Sequence, residues 1–179
     1  IKEEAQRAQE SYQSELARRE RAETLQEVIA SLSTTLDIRS LYETILDSLA
    51  KLVNYDSVSI FLEYENDRME IVAARGWDHI ENIVGRKLQK GAKWHELAQT
   101  RKALIMPDAQ ADPRFEKWEE TEHIRGWLGA PMIAQDRVVG FVNVDSHRVN
   151  AFTEQDATVV QTFANSAAIA IENARSYRD

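Results

Sequence analysis

Four histidines, His79, His95, His123 and His147, are the first residues to test for chemistry, and no two stand close together in the sequence. His95-Glu96 opens a zinc-protease-like pattern, but the second ligand position of that pattern holds Gln99. His123 has the chemistry of a haem ligand, although a histidine on a helix surface is the simpler reading. Gly85 and Gly91-Ala92-Lys93 superficially resemble a phosphate loop, with a spacing one residue too long and no Ser or Thr after the lysine. Gly91 reads instead as a turn. Asp108 and Asp112 make a conceivable carboxylate pair. Beside Pro107 and Pro113 they read more simply as turn residues that bond local backbone amides. No Gly-x-Ser-x-Gly elbow is present. The chain has no cysteine, which removes disulfides, thiolate metal sites, cysteine nucleophiles, thiol redox chemistry and thioether-tethered cofactors.

The aromatic residues are the more informative set. All four tryptophans, Trp77, Trp94, Trp118 and Trp127, fall in the middle of the chain, in the same stretch as Asp108 and Phe115. Ligand pockets are mostly apolar and aromatic with a few orienting polar groups, so these residues are candidate pocket walls. The alternative is that they fill a core that loops would otherwise leave thin. Arg125 is a candidate polar anchor for an acidic ligand, or an ion-pair partner of Glu122. Ser59 and Phe61 point to the side of their strand opposite Val58, Ile60 and Leu62. If the aliphatic set meets helices, Ser59 and Phe61 face the pocket.

These candidates sit in a chain of 179 residues, enough for one ordinary domain with a real core. Hydrophobic residues make up 43% and charged residues 29%, a globular balance. The net charge of -8 disfavours nucleic acid, whose binding rests on neutralising phosphates. The longest uncharged run, residues 157–171, falls short of the roughly 20 apolar residues of a membrane span. Ile1 opens the sequence in polar, helix-favouring residues without a signal peptide, and Asp179 closes it in the same style. The expectation is an excised module of a larger cytoplasmic protein.

All six glycines and all three prolines lie between Gly76 and Gly140, so the flanks carry long elements and the middle turns often. Residues 1–36 read as one helix, with a heptad seam of Ala22, Leu25, Ile29, Leu32 and Leu36. A weaker seam, Ile1, Ala5, Ala8 and Tyr12, is out of register with it, which makes the stretch between Tyr12 and Ala22 a candidate bistable element. Asp37 caps a second helix, with Leu36 and Leu41 at the staple positions. Period-two alternation then gives a hairpin of strands near residues 57–64 and 68–75, turned at Glu65, Asn66 and Asp67. The middle holds short strands near 86–89 and 103–106, a short helix near 94–99, a loop from Pro107 to Pro113, and a helix over 115–122. A second hairpin, 127–134 and 137–145, turns at Gln135-Asp136. Phe152, Thr153 and Asp156 open the last helix as staple, N-cap and capping-box acid. Its seam, Val160, Phe163, Ala167, Ala170, Ala174 and Tyr177, is dominated by small residues that admit a partner helix closely. The order of elements implies an α+β fold with an antiparallel sheet and helices grouped beside it.

Several stretches together resemble a known family. They are Leu36-Asp37, Asp56-Ser57-Val58-Ser59-Ile60-Phe61-Leu62, Ala73-Ala74-Arg75-Gly76 and Ile105-Met106-Pro107-Asp108. Further on come Ala111-Asp112-Pro113-Arg114-Phe115, Trp127-Leu128-Gly129-Ala130-Pro131-Met132, Val139-Gly140-Phe141-Val142-Asn143-Val144-Asp145 and Phe152-Thr153-Glu154-Gln155-Asp156. In order and spacing they resemble the GAF domain, the small-ligand sensing module of bacterial signalling proteins. The resemblance implies a six-stranded antiparallel sheet with the terminal helices packed on one face. Loops and short helices would enclose a pocket on the other. It also implies dimerisation through those helices and neighbouring signalling domains in the same chain.

Departures from specialised branches narrow the function. Bilin-carrying and methionine sulfoxide-reducing members use cysteines, absent here. Cyclic-nucleotide binding members carry Asn-Lys, then Phe, then Asp-Glu. Phe152 and Asp156 fit its second half, but Ala157 replaces the Glu and Asp145-Ser146 stands where Asn-Lys belongs. The expectation is a non-catalytic sensing module of a sensor histidine kinase or cyclase, with no cofactor, organised as residues 1–36 (signalling helix), 37–152 (core) and 153–179 (C-terminal helix). It would form a homodimer through Leu25, Ile29, Leu32, Leu36 and the last-helix seam, and bind an unknown small molecule. A ligand-free dimerising spacer and a cyclic-nucleotide binding domain are the alternatives.

Overall fold

The computed structural model describes residues 1–35, 37–65 and 67–178, with side chains described as far as Ser176. Leu36, Asn66 and the Tyr177 side chain lie outside the described set, so the staple at Leu36, the turn position at Asn66 and the seam positions of Leu36 and Tyr177 are not placed. Helix α1 spans Lys2–Leu32 and α2 spans Ile38–Leu52, followed by strands β1 (Ser57–Tyr64) and β2 (Arg68–Arg75). Strand β3 (Lys87–Gln89), helix α3 (Ala92–Thr100) and strand β4 (Leu104–Met106) form the middle, and β5 (Gly126–Ala134), β6 (Arg137–Ser146) and α4 (Glu154–Arg178) close the chain. The strands form one antiparallel sheet in the order β3-β2-β1-β6-β5-β4.

Local chemistry sets the element ends. The Asp37 carboxylate accepts a hydrogen bond from the Ser40 amide at 3.0 Å, capping α2. Thr153 and Asp156 complete a reciprocal capping box on α4, at 2.8 and 3.1 Å. Gln135 and Asp136 both take positive φ, 52° and 60°, as a two-residue hairpin turn of the primed type requires. The stretch 115–122 departs from expectation. Only Glu119–Thr121 forms a turn of 3₁₀ helix, where the Thr121 hydroxyl bonds both the amide and the carbonyl of Trp118. That side-chain competition with the backbone ends the helix before it can lengthen.

The sheet separates two cores. Val58, Ile60 and Leu62 of β1, Leu128 and Ala130 of β5, and Val142 and Val144 of β6 meet the helices. On the other face, Phe61, Ile71, Trp94, Phe115, Trp127 and Phe141 form a second cluster under the loops and α3. The strand period of two thus sends Ser59 and Phe61 away from the helices, as the alternation requires.

The helix seams need correction. Leu32, Val160, Phe163, Ala167, Ala170 and Ala174 are buried in this chain's own core, against α2 and the sheet, and are not free to meet a second copy. Leu25 and Ile29 are half-buried against the same core. Small residues let α4 lie close to its own sheet, which is the same physical advantage spent within one chain. The inward face of α1 runs through Arg21, Leu25, Val28 and Leu32, so Val28 was missed and Ala22 is exposed. Arg21 fixes the crossing of α1 over α4 by donating to Asp156 at 2.6 Å. Residues 2–20 of α1 are exposed throughout, and the helix passes the register break after Tyr12 without interruption.

Candidate functional site

The second core closes around a void of about 20 Å³. Its walls are aromatic. Trp94 packs 4.6 Å from Phe61, 5.0 Å from Phe141 and 5.8 Å from Trp127, measured between ring centroids. Trp127 occupies this position because residue 129 is glycine: a Cβ there would lie 2.1 Å from the indole. Trp77 and Trp118 cover the void from the loops, half-buried. The Arg86 guanidinium stacks 4.6 Å over Trp118 and pairs with Glu120 at 2.9 Å, fastening that cover to the chain before β3.

Polar groups of this site go unused by the fold. The Lys93 ammonium stands 4.4 Å from the centroid of Phe115, 4.7 Å from Trp94 and 5.1 Å from Trp127, with the residue 5% exposed. Three rings stand over it, and it makes no ion pair or side-chain hydrogen bond among the described residues. Burial therefore pulls its pKa down to about 8, and the charges of Glu116, Asp145 and Asp112 offset this only in part. Trp94 Nε1, Asn143 Oδ1 and Ser59 Oγ are buried without hydrogen-bond partners. Each such group costs roughly 1–3 kcal/mol. Trp94 and Asn143 line the void, so the fold carries two of these costs in its walls.

Beside the void lies a hydrogen-bonded relay. Asp145, fully buried, bonds Ser57 at 2.8 Å and accepts from Asn143 Nδ2 at 3.1 Å. Ser57 Oγ is also 3.0 Å from His123 Nε2, and His123 Nδ1 lies 3.0 Å from the Glu120 carbonyl. A carbonyl only accepts, so Nδ1 carries a proton. Ser57 donates its one proton to Asp145, and the contact with His123 is completed when Nε2 also carries a proton and donates to Ser57 Oγ. A proton on Asp145 would instead free the Ser57 proton for Nε2. Burial pushes Asp145 up to about 7, and burial followed by the charge of His147 pulls His123 down. This is not a nucleophile–base triad, because the serine stands between the histidine and the acid rather than at one end.

The fold and the family coincide here: residues 37–171 match the family model of the GAF domain. The chain belongs to the GAF domain family. A GAF domain of a phosphoenolpyruvate-protein phosphotransferase from Coxiella burnetii is similar in structure, with a TM-score of 0.77 at 19% identity, over 88% of this chain and 96% of that one. The corresponding domain from Acinetobacter gives 0.74 at 21% identity over 87% and 94%. The free methionine-R-sulfoxide reductase of Neisseria meningitidis, in complex with its substrate, gives 0.72 at 16% identity over 88% and 91%. No curated protein sequence matches the chain.

Of the residues expected to wall the GAF pocket, Phe61, Trp77, Trp94, Phe115, Trp118 and Trp127 do line the void. Ser59 shares their face, paired in register with Asn143. Asp108 and Arg125 do not reach the void. They pair with each other at the surface, at 3.0 Å, and Arg125 is not paired with Glu122. The buried cation is Lys93, which was passed over as part of an incomplete phosphate loop. Its signal was its position four residues before Leu97 on an amphipathic helix, which turns it inward with that leucine. His123 is half-buried and bonded rather than a free surface histidine.

Proposed function

We propose that this GAF domain is a non-catalytic, small-molecule-sensing and dimerising module of a cytoplasmic signal-transduction protein, such as a sensor histidine kinase or cyclase, that relays the state of its pocket through its terminal helices. The observation that carries this reading is the aromatic void with buried polar groups that the fold leaves unpaired. The related fold of the Neisseria meningitidis reductase holds a small molecule, which supports the reading.

A mechanical link supports the relay. Trp127 faces the void and Leu128, its neighbour on β5, faces the helices. Gln161 of α4 donates to the Pro131 carbonyl of the same strand at 2.9 Å. A shift of β5 at Trp127 is thus transmitted to α4, and from Asp156 to Arg21 of α1. The partner surface would be the exposed part of α1, with Tyr12 and Leu16, and the adjoining groove of about 510 Å³ between α1 and α4, lined by Ala17, Ala22, Leu25 and Val159. The first twenty residues project over roughly 30 Å of helix, a length that a second copy of α1 would cover.

Native mass spectrometry of the purified domain, with an absorbance scan, tests this reading. The expected result is a dimer retaining a small molecule. A ligand-free dimer favours the spacer alternative, and a ligand-free monomer contradicts both. Phe152 and Asp156 serve as core residue and helix cap, which leaves the cyclic-nucleotide alternative without a dedicated residue.

A further inference from the structure

We infer that Ser57, His123 and Asp145 form a one-proton latch. A single proton shared among them fastens the turn at residues 119–124 to strands β1 and β6, and its loss on the alkaline side of neutrality releases the His123 ring. The latch needs no ligand in the void.

The β1–β6 register sets Ser57 opposite Asp145, and the turn brings His123 Nε2 to the same hydroxyl, 3.0 Å away. The other ring nitrogen, Nδ1, commits its proton to the Glu120 carbonyl at 3.0 Å. Asn143 Nδ2 donates to the second Asp145 oxygen at 3.1 Å. A hydroxyl gives one proton of its own. With one further proton, on either Nε2 or the Asp145 carboxyl, both Ser57 contacts have a donor and an acceptor. With none, the ring nitrogen and the carboxylate compete for the single Ser57 proton, and one contact is lost. With two, Nε2 and the carboxyl both donate to Ser57, whose own proton then has no acceptor. The relay is therefore complete at one proton and weaker on either side.

Burial decides which partner yields when that proton leaves. Asp145 is fully buried on β6, whereas His123 is half-buried. Ser57 stays with the carboxylate, which has no other route to a second donor, and the ring turns to water. The surrounding charges keep the event near neutrality. His123 faces His147, ring to ring at 5.4 Å, which opposes a charge on it, and Asp56 and Asp78, which favour one. Asp145 faces the charge of Lys93 on α3, which favours the carboxylate against the burial that raises it to about 7. Two groups coupled through one hydroxyl titrate as a pair. Gln110 donates to the carbonyls of Thr121 and Ile124, at 2.9 Å each, and Arg86 pairs with Glu120 at 2.9 Å. Neither tie involves the shared proton, so release is confined to His123 and its neighbours and the void stays covered.

The test is NMR of the whole chain. At about pH 6.5 the His123 Nδ1 proton should give a resolved resonance, which exchange with water should erase by about pH 8.5. The protection factor of the Ile124 amide, bonded within the same turn to the Thr121 carbonyl, should fall about tenfold over that interval. Asp145→Asn places a permanent donor beside Ser57, as the protonated carboxyl does, and should keep both signals at the higher pH. Ser57→Ala removes the bridge and should show the released state at both pH values. Thermal melts confirm that the variants fold. In the parent chain, a ring resonance that persists at the higher pH, or is absent at the lower, overturns the inference whatever the variants do. So does a signal lost from Asp145→Asn as readily as from the parent, or one retained in Ser57→Ala.

Discussion

The Ser57 hydroxyl lies 2.8 Å from the Asp145 carboxyl, in a site with no access to solvent. Ser57 donates to that carboxyl, and its oxygen also stands 3.0 Å from His123 Nε2. Asp145 is raised from its ordinary 3.8 to about 7. Below its ordinary value it is protonated in both folded and unfolded chains. Between the two values only the folded chain holds the proton, so its contribution to stability is full at the acid end and is lost as pH rises through about 7. Denaturant titrations should show stability falling between about pH 4 and 7. Asp145→Asn should flatten that slope and be the more stable form at pH 8. An unchanged slope in the variant would refute the assignment. His123, lowered from 6.5, acts in the opposite sense just below its ordinary value, so the variant should retain a slight rise there.

Lys93 costs the fold stability where it stands. Its pKa falls from 10.5 to about 8, so at neutral pH the folded chain bears the full penalty of the buried charge, relieved only as pH rises from 8 to 10.5. Lys93→Met should therefore raise stability at pH 7 by roughly 1–3 kcal/mol. Equilibrium denaturation checks this, and a destabilised variant would mean that the ring contacts outweigh desolvation.

Gly129→Ala places a methyl group against the Trp127 ring, 2.1 Å from its nearest atom. Overpacking of this kind costs about 1–3 kcal/mol. The indole N–H resonance of Trp127 should shift and stability should fall by that amount. A silent substitution would mean that Trp127 moves freely, and with it the wall of the void.

Helix α1 is exposed over residues 2–20 and reaches the core at Val28 and Leu32. Leu32→Ala should destabilise the domain by about 2–4 kcal/mol, because Leu32 is 2% exposed in the core. Tyr12→Glu and Leu16→Glu should leave denaturation within about 0.5 kcal/mol of the parent and lower the dimer population in sedimentation. An effect of either surface variant on stability without one on association would contradict the proposed interface.

Much of this architecture was legible in the residues, for physical reasons. Both hairpins could be read because alternation, turn residues and Gly76 mark them locally. The caps at Asp37 and Thr153 could be read because a cap is a contact within four residues. What failed was non-local. A heptad seam records only that one face of a helix is apolar, and α4 spends that face on its own sheet. The seam of Val160, Phe163 and Ala167 therefore looked intermolecular when it is core. The site was legible in its aromatics and illegible in its charges. Arg125 and Lys93 are both cations in the irregular middle, and only the packing of α3 against β5 decides which is buried. The relay through Ser57, Asp145 and His123 joins residues 57, 145 and 123, a meeting that no local pattern announces.

The central claim is that pocket occupancy resets the terminal helices of a dimer, and the missing cysteines make it directly measurable. A nitroxide on Gln9→Cys labels one exposed site per chain. Pulsed dipolar spectroscopy then reads the distance between two copies of α1, in the protein as purified and again after unfolding and refolding have stripped any retained small molecule. The account requires a defined distance between copies that shifts when that molecule is removed. A signal with no dipolar coupling, or a distance that stays fixed when a retained molecule is removed, would contradict it.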